Sequence, residues 1–204
     1  MRAVIISGGR MADYTFAASL IEEDDYIICA DSGYLHARKM NLEPDAVLGD
    51  FDSLGHVPES GQVVRLSVRK DDTDTEGALR LAREKGFSRF LFLGCIGSRM
   101  DHTLANILLL TGCLRRGEDA WMVDEHNKIT AIDAKIILDE PPGAIVSLVP
   151  LTTCSGVNTF HMEYPLHDAA LIPEESRGIS NVTTARGAGY TMKDGLALVI
   201  VARD

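Results

Sequence analysis

The chain has 204 residues, of which 46% are hydrophobic and 25% charged. That is the balance of a soluble globular protein of one or two domains, and it excludes collagen-like, disordered and disulfide-scaffold classes. Twenty basic against thirty acidic residues leave a net charge of −10, which argues against nucleic-acid and anionic-membrane partners, both of which need clustered cations.

From the N-terminus the apolar runs Ala3–Ile6, Tyr26–Ala30, Ala46–Leu48, Val63–Leu66, Phe90–Leu93 and Trp121–Val123 read as strands. Helical patterns lie between them at Ala12–Glu22, Tyr34–Met40, Glu76–Lys85 and Leu104–Arg115. Alternating strands and helices predict βαβ units and a mostly parallel, Rossmann-like sheet. Thr73 and Glu76 have capping-box spacing, and Gly86 stands where a C′ glycine ends a helix. After Asp124 the helical pattern fades. Lys128–Ile132, Ala134–Leu138, Ala144–Leu148, Gly156–Phe160, Asn181–Thr184, Gly187–Met192 and Leu196–Ala202 are short strand-like runs separated by Gly, Pro, Asn and Asp turns. They predict an all-β C-terminal sandwich. The expected division is an α/β domain over 1–127 and a β-sandwich over 128–204.

Cys29, Cys95, Cys113 and Cys154 form no C-x-x-C pair and read as buried reduced thiols of a cytoplasmic protein. The first apolar stretch is too short for a signal peptide, and no run approaches a membrane span.

Four polar clusters follow predicted strands: Asp31-Ser32-Gly33, Gly49-Asp50-Phe51-Asp52-Ser53, Lys70-Asp71-Asp72-Thr73-Asp74, and Gly97-Ser98-Arg99-Met100-Asp101-His102. In a parallel sheet they converge on the carboxyl edge, where open α/β sheets bind ligands. Crowded carboxylates repel unless a hard cation lies among them, and Mg²⁺ takes one or two carboxylates together with waters and phosphate oxygens. Asp50 and Asp52, two apart, face one side of an extended segment. Read alone, that stretch equally suits a solvated Asx turn. Ser7-Gly8-Gly9-Arg10 follows the first strand, where glycines would let backbone N–H groups approach a phosphate, although a plain strand-to-helix turn more commonly explains such a stretch. Arg99 could clamp a polyphosphate or simply pair with Asp101, and Asp101 could be an N-cap. Arg69 and Lys70 are further phosphate candidates, and equally suit a solvated cationic pair. No P-loop, G-x-G-x-x-G, G-x-S-x-G or H-E-x-x-H pattern is present, and His102 reads as a helix-start hydrogen-bonder.

Together, Ala30–Gly33, Pro44–Ser53, Lys70–Glu76 and Gly94–His102 resemble the bacterial thiamine pyrophosphokinases in order and spacing. Ser155-Gly156-Val157, Tyr164-Pro165-Leu166 and Gly178-Ile179-Ser180-Asn181 extend the resemblance more loosely. The resemblance implies an ATP-dependent transferase making thiamine diphosphate and AMP, with a homodimer sharing its site between subunits. It implies Mg²⁺ on Asp50, Asp52 and Asp71, and a catalytic role for Asp71, Asp74, Arg99 and Asp101. For ATP it implies Gly8, Gly9, Asp31, Ser32, Gly33, Asp50, Thr73, Gly97 and Ser98. For thiamine it implies Asp74, Ser180 and Asn181. Two other readings fit the carboxylate pattern: a magnesium-dependent kinase or hydrolase acting on another alcohol or nucleotide, and a non-catalytic nucleotide sensor.

Overall fold

The computed structural model describes residues 1–49, 62–64 and 72–203. Asp50, Asp52, Ser53, Arg69, Lys70 and Asp71 lie outside the described residues. The chain forms two compact units, Met1–Glu125 and His126–Asp204.

The first unit runs β1 (Ala3–Ile6), α1 (Tyr14–Ser19), β2 (Tyr26–Ala30), α2 (Gly33–Lys39), β3 (Ala46–Leu48), β4 (Gln62–Val64), α3 (Asp74–Glu84), β5 (Arg89–Leu93), α4 (Met100–Arg115) and β6 (Asp119–Val123). Its strands pair in the order β4-β3-β2-β1-β5-β6, and every pairing is parallel. Parallel strands need cover on both faces, which is why they read as unbroken apolar runs. All four residues of β1 are fully buried. Val4 and Ile6 pack with Ala17 of α1 and with Tyr34 and Ala37 of α2. Successive side chains alternate in a strand, so Ala3 and Ile5 face the opposite side of the sheet, and α3 packs against β1, β2 and β3.

The helix ends show their chemistry. Thr73 caps α3 by accepting from the Glu76 N–H at 3.2 Å. Beyond α3, Gly86 adopts φ +88°, which lets its N–H reach the Arg83 carbonyl while the Phe87 N–H reaches that of Ala82. This is a Schellman close. Two helices differ from expectation. α1 is confined to Tyr14–Ser19: Asp13 caps it through the Phe16 N–H, and the Ser19 hydroxyl bonds back to the Phe16 carbonyl, a contact that competes with helix continuation. α4 starts at Met100, four residues before the apolar pattern, and Arg99 rather than Asp101 holds the N-cap position. The Thr103 hydroxyl anchors this early turn to both backbone groups of Gly97.

The second unit runs β7 (Asn127–Ile132), β8 (Lys135–Ile137), β9 (Ile145–Pro150), β10 (Cys154–Phe160), β11 (Ala169–Leu171), β12 (Asn181–Val182), β13 (Gly189–Thr191) and β14 (Ala197–Ala202). Strands β12, β9, β14 and β7 pair antiparallel in that order, and β11, β10, β13 and β8 form a second antiparallel set. Val146, Leu148, Val157, Tyr190, Val199 and Val201 supply its buried side chains. β11 is absent from the predicted elements. The chain is thus a mixed α/β protein rich in sheet, with four helices among the described residues. The four cysteines are free and buried, and no described helix is long and apolar enough to cross a membrane.

Candidate active-site cleft

β1 and β5 are neighbours, yet the chain leaves β1 toward β2 and leaves β5 toward β6. Their following loops therefore diverge, and such a switch in strand order opens a crevice at the carboxyl edge. A cleft of about 660 Å³ lies there, lined by the loops after β1, β2 and β5 and by the starts of α3 and α4.

Its floor is a close approach of backbones. The Ser7 N–H donates to the Leu93 carbonyl at 2.9 Å and the Gly9 N–H to the Gly94 carbonyl at 2.7 Å. A Cβ on Gly9 would lie 2.9 Å from the Ile96 oxygen and closer still to that of Gly94. A Cβ on Gly8 would overlap the Ser32 hydroxyl. Gly9 is thus required by the packing of the loops, whereas a side chain at Gly8 would have to displace the Ser32 hydroxyl. Because the Gly9 N–H already serves Gly94, it is not the phosphate donor that the motif suggests.

Polar side chains fix the walls. Ser7 and Thr75 hydroxyls lie 2.8 Å apart, the Cys95 thiol donates to Ser7 at 3.3 Å, and the buried Asn106 amide donates to the Cys95 carbonyl at 2.9 Å. Burial pushes the Cys95 thiol up to about 12, so it packs rather than attacks. Asp31 takes a left-handed conformation, φ +47°, between its N–H bond to the Leu48 carbonyl and its carbonyl bond from the Tyr34 N–H. Asp31, Ser32, Thr73, Asp74, Gly97, Ser98 and Arg99 therefore meet on one cleft. Gly33, at the start of α2, packs against β1 behind it. Asp72 also borders the cleft, but its carboxylate pairs with Arg80 of α3.

Arg99 pairs with Asp101 through Nε at 3.2 Å and Nη2 at 2.6 Å. Both pairing readings of Arg99 are compatible, because the guanidinium has five N–H donors and the pair leaves both Nη1 hydrogens and one on Nη2 for an anion. The hydrogen bond from Arg99, aided by the His102 backbone N–H, lowers the Asp101 pKa from 3.8 to about 2. The Asp101 carboxylate should accordingly titrate near pH 2 by NMR, and Arg99→Ala should return it toward 3.8. A depressed carboxyl pKa favours the folded state above the unfolded value, and that gain is lost as pH falls to the folded one. The pair should hold through mildly acidic solution. An Asp101 titration unmoved by Arg99→Ala would contradict this assignment.

Ser180 and Asn181 belong to the second unit. Ser180 stands at φ +56° with its N–H on the Ser147 hydroxyl. Asn181 is buried, and its amide clamps the Tyr164 backbone from both sides: Oδ1 accepts from the Tyr164 N–H at 3.0 Å and Nδ2 donates to the Tyr164 carbonyl at 2.7 Å. The Tyr164-Pro165-Leu166 and Ser180-Asn181 motifs are thereby joined, with the Tyr164 side chain left exposed.

Asp31 and Asp74 give the cleft hard oxygen donors, a set that suits Mg²⁺. The residues that the family resemblance implies as its ligands, Asp50, Asp52 and Asp71, lie outside the described residues. Among the described residues, one acidic group has metal-like spacing, Glu22, Asp24 and Asp25, and it already engages the N-terminal ammonium and Arg2. Sequence reasoning missed Asn106, Thr103 and Thr75, which shape the cleft by bonding to the Cys95 carbonyl, the Gly97 backbone and the Ser7 hydroxyl respectively. The sole tryptophan, Trp121, lies on β6 and is partly buried against the core.

A glycine-floored cleft at the switch point of a parallel sheet, rimmed by carboxylates and an arginine, is the construction of a phosphate-handling α/β enzyme. The chain belongs to the thiamin pyrophosphokinase family and is thus an enzyme, a thiamine diphosphokinase, with ATP the implied co-substrate. The family's catalytic domain matches residues 17–122 and its vitamin B1 binding domain residues 134–193. The chain is 23% identical over 217 aligned positions to the thiamine pyrophosphokinase of Bacillus subtilis strain 168, spanning 98% of each. Its fold is similar to the crystal structure of thiamine pyrophosphokinase from Bacillus subtilis, with a TM-score of 0.87 at 24% identity over the full length of both chains. It is similar to a thiamin pyrophosphokinase family protein from Enterococcus faecalis as well, with a TM-score of 0.82 at 25% identity, again over both full lengths.

Proposed function

We propose that the first unit is the catalytic domain, binding ATP and Mg²⁺ in its cleft, and that the second unit is a β-sandwich that binds thiamine and supports a homodimer in the cytoplasm. The observation that carries this reading is the match of the catalytic domain to the unit that holds the cleft. Transfer requires the thiamine hydroxyl oxygen to bond to the β-phosphorus while the bond from that phosphorus to the α,β-bridging oxygen breaks. AMP departs with the bridging oxygen. Such transfers depend on positioning and charge neutralisation rather than on a covalent intermediate.

Arg99 supplies planar donors to phosphate oxygens. The loops after β1 and β5 hold the polyphosphate against a floor that cannot shift. Asp74, in the first turn of α3, and Asp71 are the two candidates to take the hydroxyl proton. Mg²⁺ on Asp50, Asp52 and Asp71 would supply charge neutralisation at the phosphates. The acidic lining also suits the cationic thiazolium of thiamine.

Incubation with ATP, Mg²⁺ and thiamine should release one AMP per thiamine diphosphate formed, and no ADP. ADP as the product would assign the cleft to a single-phosphoryl kinase. ATP binding without turnover would assign it to a sensor.

A further inference from the structure

A hydrogen-bond chain reaches the cleft floor from behind. His36 of α2 directs Nε2 at the Gly9 carbonyl, 2.8 Å away. A carbonyl can only accept, so Nε2 carries the proton, and the neutral ring leaves Nδ1 as an acceptor. Tyr14 Oη lies 2.9 Å from Nδ1 and donates to it. Lys39 Nζ donates to the same phenol oxygen at 3.2 Å and sits 5.1 Å from the Tyr14 ring centroid. The donors thus run in one direction, Lys39 to Tyr14 to His36 to Gly9. Desolvation, reinforced by the Lys39 charge, lowers the His36 pKa against the opposing pull of the Gly9 carbonyl, which keeps the ring in the neutral form that this order requires.

The consequence falls on the next peptide group. A trans peptide points its C=O and the following N–H in opposite directions. With the Gly9 carbonyl held toward His36, the Arg10 N–H is turned away from it, on the stretch of chain that lines the cleft with Gly97 and Ser98. The Arg10 nitrogen lies 3.6 Å from the position a Gly97 Cβ would take. No described residue accepts this N–H. Backbone N–H groups of this kind form anion-binding concavities.

We propose that His36, in the Nε2–H tautomer selected by Tyr14, is a positioning residue for the nucleotide: it sets the Gly9–Arg10 peptide so that the Arg10 N–H meets a phosphate oxygen. This deepens, and rests on, the reading of the cleft as the ATP site. His36 is half-buried, and no sequence motif contains it.

The test compares two amide replacements. A glutamine amide nitrogen reaches the place of Nε2, whereas an asparagine amide reaches only that of Nδ1. ATP affinity in the presence of Mg²⁺ is measured by calorimetry, and KM for ATP, KM for thiamine and kcat are measured in parallel. His36→Asn should weaken ATP binding about tenfold, the scale of one hydrogen bond, and raise KM for ATP equally while KM for thiamine and kcat stay near wild type. His36→Gln should recover most of the affinity. Wild-type ATP affinity in His36→Asn, or equal losses in the two variants, would overturn the proposal. So would a fall in kcat with affinity unchanged. Wild-type protein that binds ATP but forms no AMP with thiamine would sink the proposed activity instead, and leave the role of His36 to be decided by the binding data.

Discussion

Asp50→Asn and Asp71→Asn are each expected to lower thiamine-dependent AMP formation about a thousandfold, roughly 4 kcal/mol of transition-state stabilisation, with circular dichroism and thermal midpoint unchanged. Asparagine keeps the shape of the side chain and removes the charge. A neutral amide oxygen is a much poorer ligand for a hard divalent cation, and without that cation the phosphate charge is left to Arg99 and backbone dipoles. Asp72 provides the internal contrast. It adjoins Asp71 in sequence and borders the cleft, but its carboxylate pairs with Arg80. The pair is partly exposed, so Asp72→Asn should cost at most about 1 kcal/mol of stability and far less activity than its neighbour. Full activity in either Asp50→Asn or Asp71→Asn would remove that residue from the metal site. A larger loss in Asp72→Asn than in Asp71→Asn would reassign the cluster.

Much of the first unit was legible because its strands are covered on both sides. β1, β2 and β3 have the bounds that their apolar runs predict, since every residue in such a run has somewhere apolar to go. Periodicity fails where tertiary bonds decide. The first turn of α4, Met100-Asp101-His102-Thr103, carries little apolar signal. It is helical because Thr103 is tied back to Gly97. β11 is three residues long, two of them alanine, which is too little pattern to separate a strand from a turn.

Of the four clusters, the described parts around Asp31-Ser32, Asp72-Thr73-Asp74 and Gly97-Ser98-Arg99 meet on one cleft, because parallel topology carries every strand's end to the same edge. The glycines were legible as a phosphate-loop pattern, but the contact that requires Gly9 is with other backbone. His36, Asn106 and the clamp of Asn181 on Tyr164 were hidden for one shared reason. Each involves a single polar side chain whose partner is a main-chain group far along the chain or across a turn, and main-chain groups carry no residue signature. Arg99 and Asp101, two residues apart, could be paired from sequence. Tyr14 and His36, twenty-two apart, could not.

Gly33→Ala should cost about 3 kcal/mol in urea unfolding of the first unit, the upper range for forcing one methyl into a packed interior. The added Cβ would fall 2.7 Å from the Ile6 carbonyl carbon and 3.1 Å from the Ser7 Cα, and closest of all to the Ile6 oxygen. These are main-chain atoms of the fully buried central strand, held on one side by β2 and on the other by β5. The strand cannot yield, so α2 must retreat and carry His36 away from Gly9. ATP affinity should therefore fall in whatever fraction remains folded. Gly112→Ala is the matched control. It lies inside α4 with nothing within 4 Å of the new methyl, and replacing a helical glycine by alanine in open space should stabilise by about 0.5–1 kcal/mol. The opposite signs expected for one chemical change distinguish backbone crowding from helix propensity. A Gly33→Ala protein as stable as wild type would show that α2 does not start against the β1 backbone, and the floor of the cleft would have to be rebuilt.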